Sequence, residues 1–204
     1  MTVVPGRNLL KRMVFLLALI PVAPLLLMSW LEKYLTSSEL LFTLMSQSLA
    51  VVPGYPGVVL RSAFYFGTLN ACSWESHVGF GSLFTHRGAT LARHASMGAY
   101  CVIGHADIGE RVMMGSRISI PSGKRQHFDD EGQLTRESRF GRVSVGADCW
   151  IGEGAILLAD VGARCIVSAG AIVIDAIPSD SVAGGNPARV LKTLQDGTTP
   201  AAGI

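Results

Sequence analysis

A beat of six residues runs through the second half of this chain, and it limits the folds available more than any other feature. A small apolar residue opens each unit and a small or polar residue follows: Val145-Gly146, Ile151-Gly152, Leu157-Leu158, Val161-Gly162 and Val167-Ser168. The same beat appears earlier at Met97-Gly98, Ile103-Gly104, Ile108-Gly109 and Met114-Gly115. The period is too short for a helix pair and fits a parallel β-helix, in which each unit supplies one short strand and one turn. Glycine after the inward residue is expected to allow turn conformations that a Cβ resists. Neighbouring coils would stack about 4.8 Å apart.

The chain has 204 residues, enough for one domain plus an appendage. Its net charge of +2 implies no broad attraction to nucleic acid. Charged residues are 16% of the chain and hydrophobic ones 49%, and the apolar excess lies near the N-terminus. Cys72, Cys101, Cys149 and Cys165 form no Cys-x-x-Cys pair, so they read as buried small residues in a reducing compartment, and no metal is expected.

Three regions follow. Residues 1–60 read as a membrane-anchoring helical segment. Arg7, Lys11 and Arg12 precede an uncharged run from Met13 to Leu31, long enough to cross a bilayer but interrupted by Pro21 and Pro24. A second apolar stretch runs from Leu40 to Val52. A helical hairpin or monotopic anchor, a single span and a cleaved signal peptide compete. Basic residues on both flanks, Arg61 being the far one, favour the hairpin. Residues 61–186 read as the β-helix, broken once by a loop at 121–142 dense in His, Asp, Lys and Arg; a loop of that length in a compact domain is usually functional. Residues 187–204 read as a short C-terminal helix and a tail.

The units around Asp148-Cys149-Trp150-Ile151-Gly152-Glu153-Gly154-Ala155, then Ser168-Ala169-Gly170-Ala171, then Ala183-Gly184-Gly185-Asn186-Pro187-Ala188-Arg189-Val190 resemble the hexapeptide-repeat acyltransferases. These include the galactoside, maltose and xenobiotic acetyltransferases and many polysaccharide O-acetyltransferases. The loop frame, Ser122-Gly123 with Gln126-His127 and Asp129-Asp130, is most similar to the enzymes of exopolysaccharide or capsule assembly. The resemblance implies an all-β, left-handed parallel β-helix, a homotrimer with sites between subunits, and acetyl-CoA as acyl donor.

Acyl transfer from a thioester to a hydroxyl needs a base, and a neutral imidazole suits that role near pH 7. His127 lies in the loop and matches the family's catalytic histidine; Asp129, Asp130 or Glu131 would orient it. His86 and His105 each fall two residues after an inward position, about one coil apart, and so line an acceptor groove; by the resemblance Trp150 packs beside the loop and that groove. Ser168, Ala169 and Gly170 match the backbone along the pantetheine arm, and Arg189 and Lys192 match the basic residues on the CoA phosphates. One departure stands out: Ile174-Asp175 replaces the Thr-Lys that the family carries there, and Arg164 is a candidate to compensate. The expected activity is O-acetylation of a sugar hydroxyl on a membrane-associated or lipid-linked polysaccharide precursor, at the inner membrane with the catalytic domain on the cytoplasmic side. A non-catalytic trimeric scaffold and a zinc hydrase like the gamma-class carbonic anhydrases are the alternatives.

Overall fold

The computed structural model describes residues 5–124, 126–127, 131–136 and 140–194. Three helices come first: α1 (Pro5–Leu35), α2 (Leu40–Ala50) and α3 (Gly54–Thr68). The strands then follow in coils of three. Coil one is β1 (Ala71–Cys72), β2 (His77–Val78) and β3 (Leu83–Phe84); coil two is β4 (Thr90–Leu91), β5 (Ser96–Met97) and β6 (Val102–Ile103). Coil three is β7 (Ala106–Ile108), β8 (Met113–Met114) and β9 (Ser119–Ile120); coil four is β10 (Val143–Val145), β11 (Trp150–Ile151) and β12 (Ile156–Leu157). Coil five continues with β13 (Ile166–Val167) and β14 (Ile172–Val173), and coil six ends in β15 (Ser181–Gly185), against which β16 (Ala188–Thr193) folds back.

The coils stack into three sheets with parallel pairing throughout, β15 and β16 excepted. The first sheet is β1-β4-β7-β10, continued by bridges at Val161 and Ile177; the second runs from β2 to β16, and the third is β3-β6-β9-β12-β14. Each coil sends at least one side chain per sheet into the prism, and β7 and β10 send two. Val78, Met97, Met114, Ile151, Val167 and Ala183 form one buried column, and Phe84, Ile103, Ile120, Leu157 and Val173 form another. Hydrophobic burial on all three sides holds the prism together, with each strand's amides bonded to the next coil.

The glycines serve a different purpose from the one expected. Most glycines that follow an inward residue do not have positive φ; that conformation falls two residues later, at Tyr100, Arg117, Gly154 and Gly170. Glycine is needed at the earlier position for clearance: a Cβ on Gly152 would lie 2.3 Å from the amide nitrogen of Ala169 in the next coil.

The N-terminal helices form a cap. α1 continues through Pro21 and Pro24 as one helix about 46 Å long. It lies along α3 rather than projecting away from it. Phe15 and Val22 are buried, Ser29 and Glu32 continue their stripe, and the Trp30 indole donates to the Gly67 carbonyl. The opposite face of α1 is apolar and exposed: Leu9, Leu10, Met13, Leu16, Leu17, Ile20, Leu27 and Leu31. Leu9–Leu35 is long and apolar enough to cross a membrane.

The second apolar stretch, by contrast, is a core helix. Phe42, Met45, Ser46 and Leu49 of α2 are buried, Phe42 stacks on Phe64 of α3, and Tyr65 of α3 sits edge-on to Phe84 with ring centroids 4.9 Å apart. Tyr65 and Ser46 share a 2.7 Å hydrogen bond inside this cluster, and burial pushes the phenol up to about 12. Arg61, expected as a flank on the membrane surface, is fully buried. Its guanidinium donates to the carbonyls of Leu49, Ala50 and Val52, closing the C-terminal end of α2, and to that of Val78 in coil one. Carbonyls gathered at a helix end are a stronger pull on a guanidinium than a lipid surface.

Two boundaries also move. The helical part extends to Thr68 and the first strand begins at Ala71. The segment after Pro187 is the strand β16, not a helix: it pairs antiparallel with β15 and supplies hydrogen bonds that the last edge of the second sheet would otherwise lack.

Candidate active site

The loop of residues 121–142 leaves the prism between β9 and β10, along the edge where the third sheet turns into the first. His105 and His86 occupy the same edge one and two coils earlier. They lie one above the other on one face, as the spacing predicts, with the rings edge-on and their centroids 4.6 Å apart. The loop is fastened below them. Ser122 is buried and its hydroxyl accepts the His105 amide at 2.9 Å; its carbonyl accepts the Gly141 amide at 2.8 Å, which closes the loop's stem. Phe140 returns from the loop to the histidines, its ring 4.4 Å from that of His86 and 6.0 Å from that of His105.

Sequence reasoning missed the group that orients His86. Glu39, at the N-terminal end of α2, accepts or shares the proton of His86 Nδ1 at 2.7 Å, and its other oxygen accepts the Arg87 amide at 3.0 Å. The two residues are 47 positions apart, so no local pattern announces the pair. The carboxylate fixes the ring through Nδ1 and leaves Nε2 outside that bond. His105 is held below the ordinary imidazole range, first by burial and then by the charges of His86 and Arg142, against the opposite pull of Glu39 and Asp107. It is therefore a neutral imidazole near pH 7.

His127 is exposed in the loop, and its carbonyl accepts the Thr135 amide at 2.9 Å. Asp129 and Asp130 lie outside the described residues. Trp150 is not brought to the histidines within the chain. It is 51% exposed on the outer face of the second sheet, between Met113 and Ile166 in register, because an outward position on β11 cannot reach the far edge of the prism.

The donor-matching residues do come together at the far end. Ser168, Ala169 and Gly170 make the turn from the second sheet to the third in coil five, and Gly170 takes φ +69° there. Arg189 and Lys192 lie on β16, paired with Gly184 and Val182. Gly184 packs so closely on Ser168 that a Cβ would sit 2.9 Å from the serine hydroxyl.

Asp175 links this end to the loop. Its carboxylate takes Lys124, three residues before His127, at 3.2 Å and Arg189 at 3.5 Å. Arg164, the residue considered as compensating for the missing lysine, is instead paired with Asp180 at 2.5 and 2.6 Å on the edge between the first and second sheets. The cation standing beside Asp175 is Lys124. The loop thus touches both ends of one edge: Phe140 reaches the histidines of coils one and two, and Lys124 reaches coil five, roughly 20 Å away at about 4.8 Å per coil.

No family profile matches the chain, and no curated protein is similar to it in sequence. Solved structures do match. A maltose O-acetyltransferase from Clostridium difficile superposes with a TM-score of 0.66 at 20% identity, covering 76% of this chain and 86% of that one. A hexapeptide-repeat-containing acetyltransferase from Vibrio cholerae gives a TM-score of 0.60 at 19% identity, over 78% and 95% of the two chains. A galactoside acetyltransferase in complex with coenzyme A gives 0.58 at 18% identity, over 76% and 81%. The chain shares the left-handed parallel β-helix fold of the hexapeptide-repeat acetyltransferases.

Proposed function

We propose that the protein is an acetyl-CoA-dependent O-acetyltransferase acting on a sugar hydroxyl of a membrane-associated or lipid-linked polysaccharide precursor. The observation that carries this reading is the Asp175 link, which ties the loop bearing His127 to the Arg189 strand. The names of the similar structures support it: one acetylates maltose by its description, and another was solved with coenzyme A.

In this reading Arg189 and Lys192 hold the donor's phosphates, and the pantetheine arm runs past Ser168, Ala169 and Gly170, whose small side chains let it approach the main chain. His127 takes the proton of the acceptor hydroxyl as the oxygen attacks the thioester carbonyl. The tetrahedral intermediate then collapses, the C–S bond breaks, and the imidazolium returns its proton to the departing CoA sulfur. Asp129 or Asp130 orients the imidazole, and His86 and His105 contact the acceptor. Trp150, remote from that edge in one chain, joins the site only across a subunit contact, so the site belongs to a homotrimer.

The exposed apolar face of α1 lies in the surface of the inner membrane as a monotopic anchor. The prism sits on the cytoplasmic side, where acetyl-CoA is. An α1 packed lengthwise on α3 favours lying on the membrane over crossing it, since a crossing helix would have to leave that packing.

Thiol release from acetyl-CoA by the purified full-length chain, with sugar acceptors, tests the assignment. His127→Ala is expected to lower turnover by roughly 10²–10⁴-fold, the usual contribution of a positioned base. Activity within a few-fold of the parent would reject His127 as the base, and an absence of transfer to every acceptor in the parent protein would favour the scaffold. Mass spectrometry of envelope glycans with and without the protein identifies the acyl group and the acceptor.

A further inference from the structure

The chemistry above makes no use of the turn between α1 and α2, yet that turn is where the helical cap meets the histidine pair. Two cavities adjoin there. One, of about 440 Å³, is walled by Met28, Leu31, Leu35, Leu40 and Leu41. The other, of about 330 Å³, is walled by Lys33, Ser37, Glu39, Asn70 and Arg87. Thr36 and Ser38 line both, so the two form one channel that changes from apolar to polar along its length.

The apolar half opens among exposed side chains of the anchor, with Leu35 76% exposed. In the polar half both acids are engaged. Glu32 accepts the amides of Leu41 and Phe42 and pairs with Arg87; Glu39 binds His86 and the Arg87 amide. Arg87 is only 8% exposed, and its Nε has no partner among the described residues. Lys33 has no ion-pair partner among the described residues and is the cation left over. Glu39, in the wall of the polar half, is bonded to His86, whose ring neighbours those of His105 and Phe140.

We propose that this channel binds the lipid phosphate of the acceptor: one prenyl chain in the apolar half, its phosphate beside Lys33 and the hydroxyls of Ser37 and Ser38, and its sugar at His86 and His105. This rests on the acetyltransferase reading and deepens it by naming where the acceptor sits. A free nucleotide sugar would leave the apolar half bare. A hydrocarbon without phosphate would leave Lys33 unmatched. A diacyl lipid has two chains for one apolar cavity. Glu39 is a positioning residue in this scheme, since it holds the His86 ring so that Nε2 faces the sugar.

The test uses the full-length protein in phosphatidylcholine nanodiscs and a photoreactive prenyl phosphate. Labelling is expected within residues 28–41. Lys33→Gln, at an exposed position, and Leu31→Gln are each expected to weaken capture about tenfold or more, as loss of a charge-assisted contact or of apolar burial does. Unlabelled prenyl phosphate should compete, while inorganic phosphate and phosphatidylglycerol should not. Labelling elsewhere, or full capture by Lys33→Gln, overturns the proposal, and equal competition by phosphatidylglycerol reassigns the channel to a membrane headgroup. Coenzyme A binding, measured on the same samples, separates the two levels. If coenzyme A binds and the channel stays unlabelled, this inference fails alone; if coenzyme A does not bind, the acetyltransferase reading fails.

Discussion

The prism and its cap are held by opposite means. In the prism the interior is apolar from coil to coil, and each strand is satisfied by the next copy of itself. In the cap and where it meets coil one the buried set includes Arg61, Glu32, Arg87, Ser46 and Tyr65, each bonded to a partner far away in the chain or in another element. A repeat tolerates local faults because its neighbours carry the same design. A buried polar network does not, since removing one member strands the others. The cap is therefore the part that single changes should disrupt.

The largest effect is expected at Arg61. Arg61→Met should destabilise the protein by about 2–5 kcal/mol, the cost of leaving the Val52 and Val78 carbonyls without donors and weakening those of Leu49 and Ala50, and denaturant unfolding should show the helical signal melting before the strands. Coincident loss of both signals would show that cap and prism are one cooperative unit and break the contrast. Gly152→Ala should cost about 1–3 kcal/mol, because the added Cβ overlaps main chain of the next coil; thermal unfolding reads it.

Acid should act near the cap first. His77 is held below the ordinary imidazole range by burial and by Arg61, and His105 by burial and by His86 and Arg142. The unfolded chain binds protons at the ordinary value, about 6.5, where the folded chain resists them, so stability is complete above that pH and declines as pH falls through it. A stability profile flat from pH 7.5 to pH 5 would contradict this. Arg61→Met should shrink the His77 contribution. The smallest effect is expected at Arg164→Ala: its pair with Asp180 is on the surface and screened by solvent, so stability should barely move, and coenzyme A affinity should not change because the pair sits on the wrong edge.

How much was legible follows the same division. The coils were legible because Ile151, Val167 and their counterparts repeat a local rule. The neighbouring His86 and His105 were legible for the same reason: an offset from an inward position is carried from one coil to the next. Glu39, Arg61 and Asp175 were not. Each owes its role to a partner brought close only by the finished fold: His86 for Glu39, the end of α2 for Arg61, and Lys124 with Arg189 for Asp175. The strand β16 was misread as a helix because its local preference was outweighed by an edge that only the assembled second sheet presents.

That reversed strand has a further consequence. A stack of identical parallel coils has no natural last member: either open face is a template for another chain, and such stacks grow into fibres. Here α2 and α3 cover the starting face, and β16, running backwards, blocks the second sheet at the finishing face. The two termini thus act as stoppers, and the number of coils is set by what refuses to extend them.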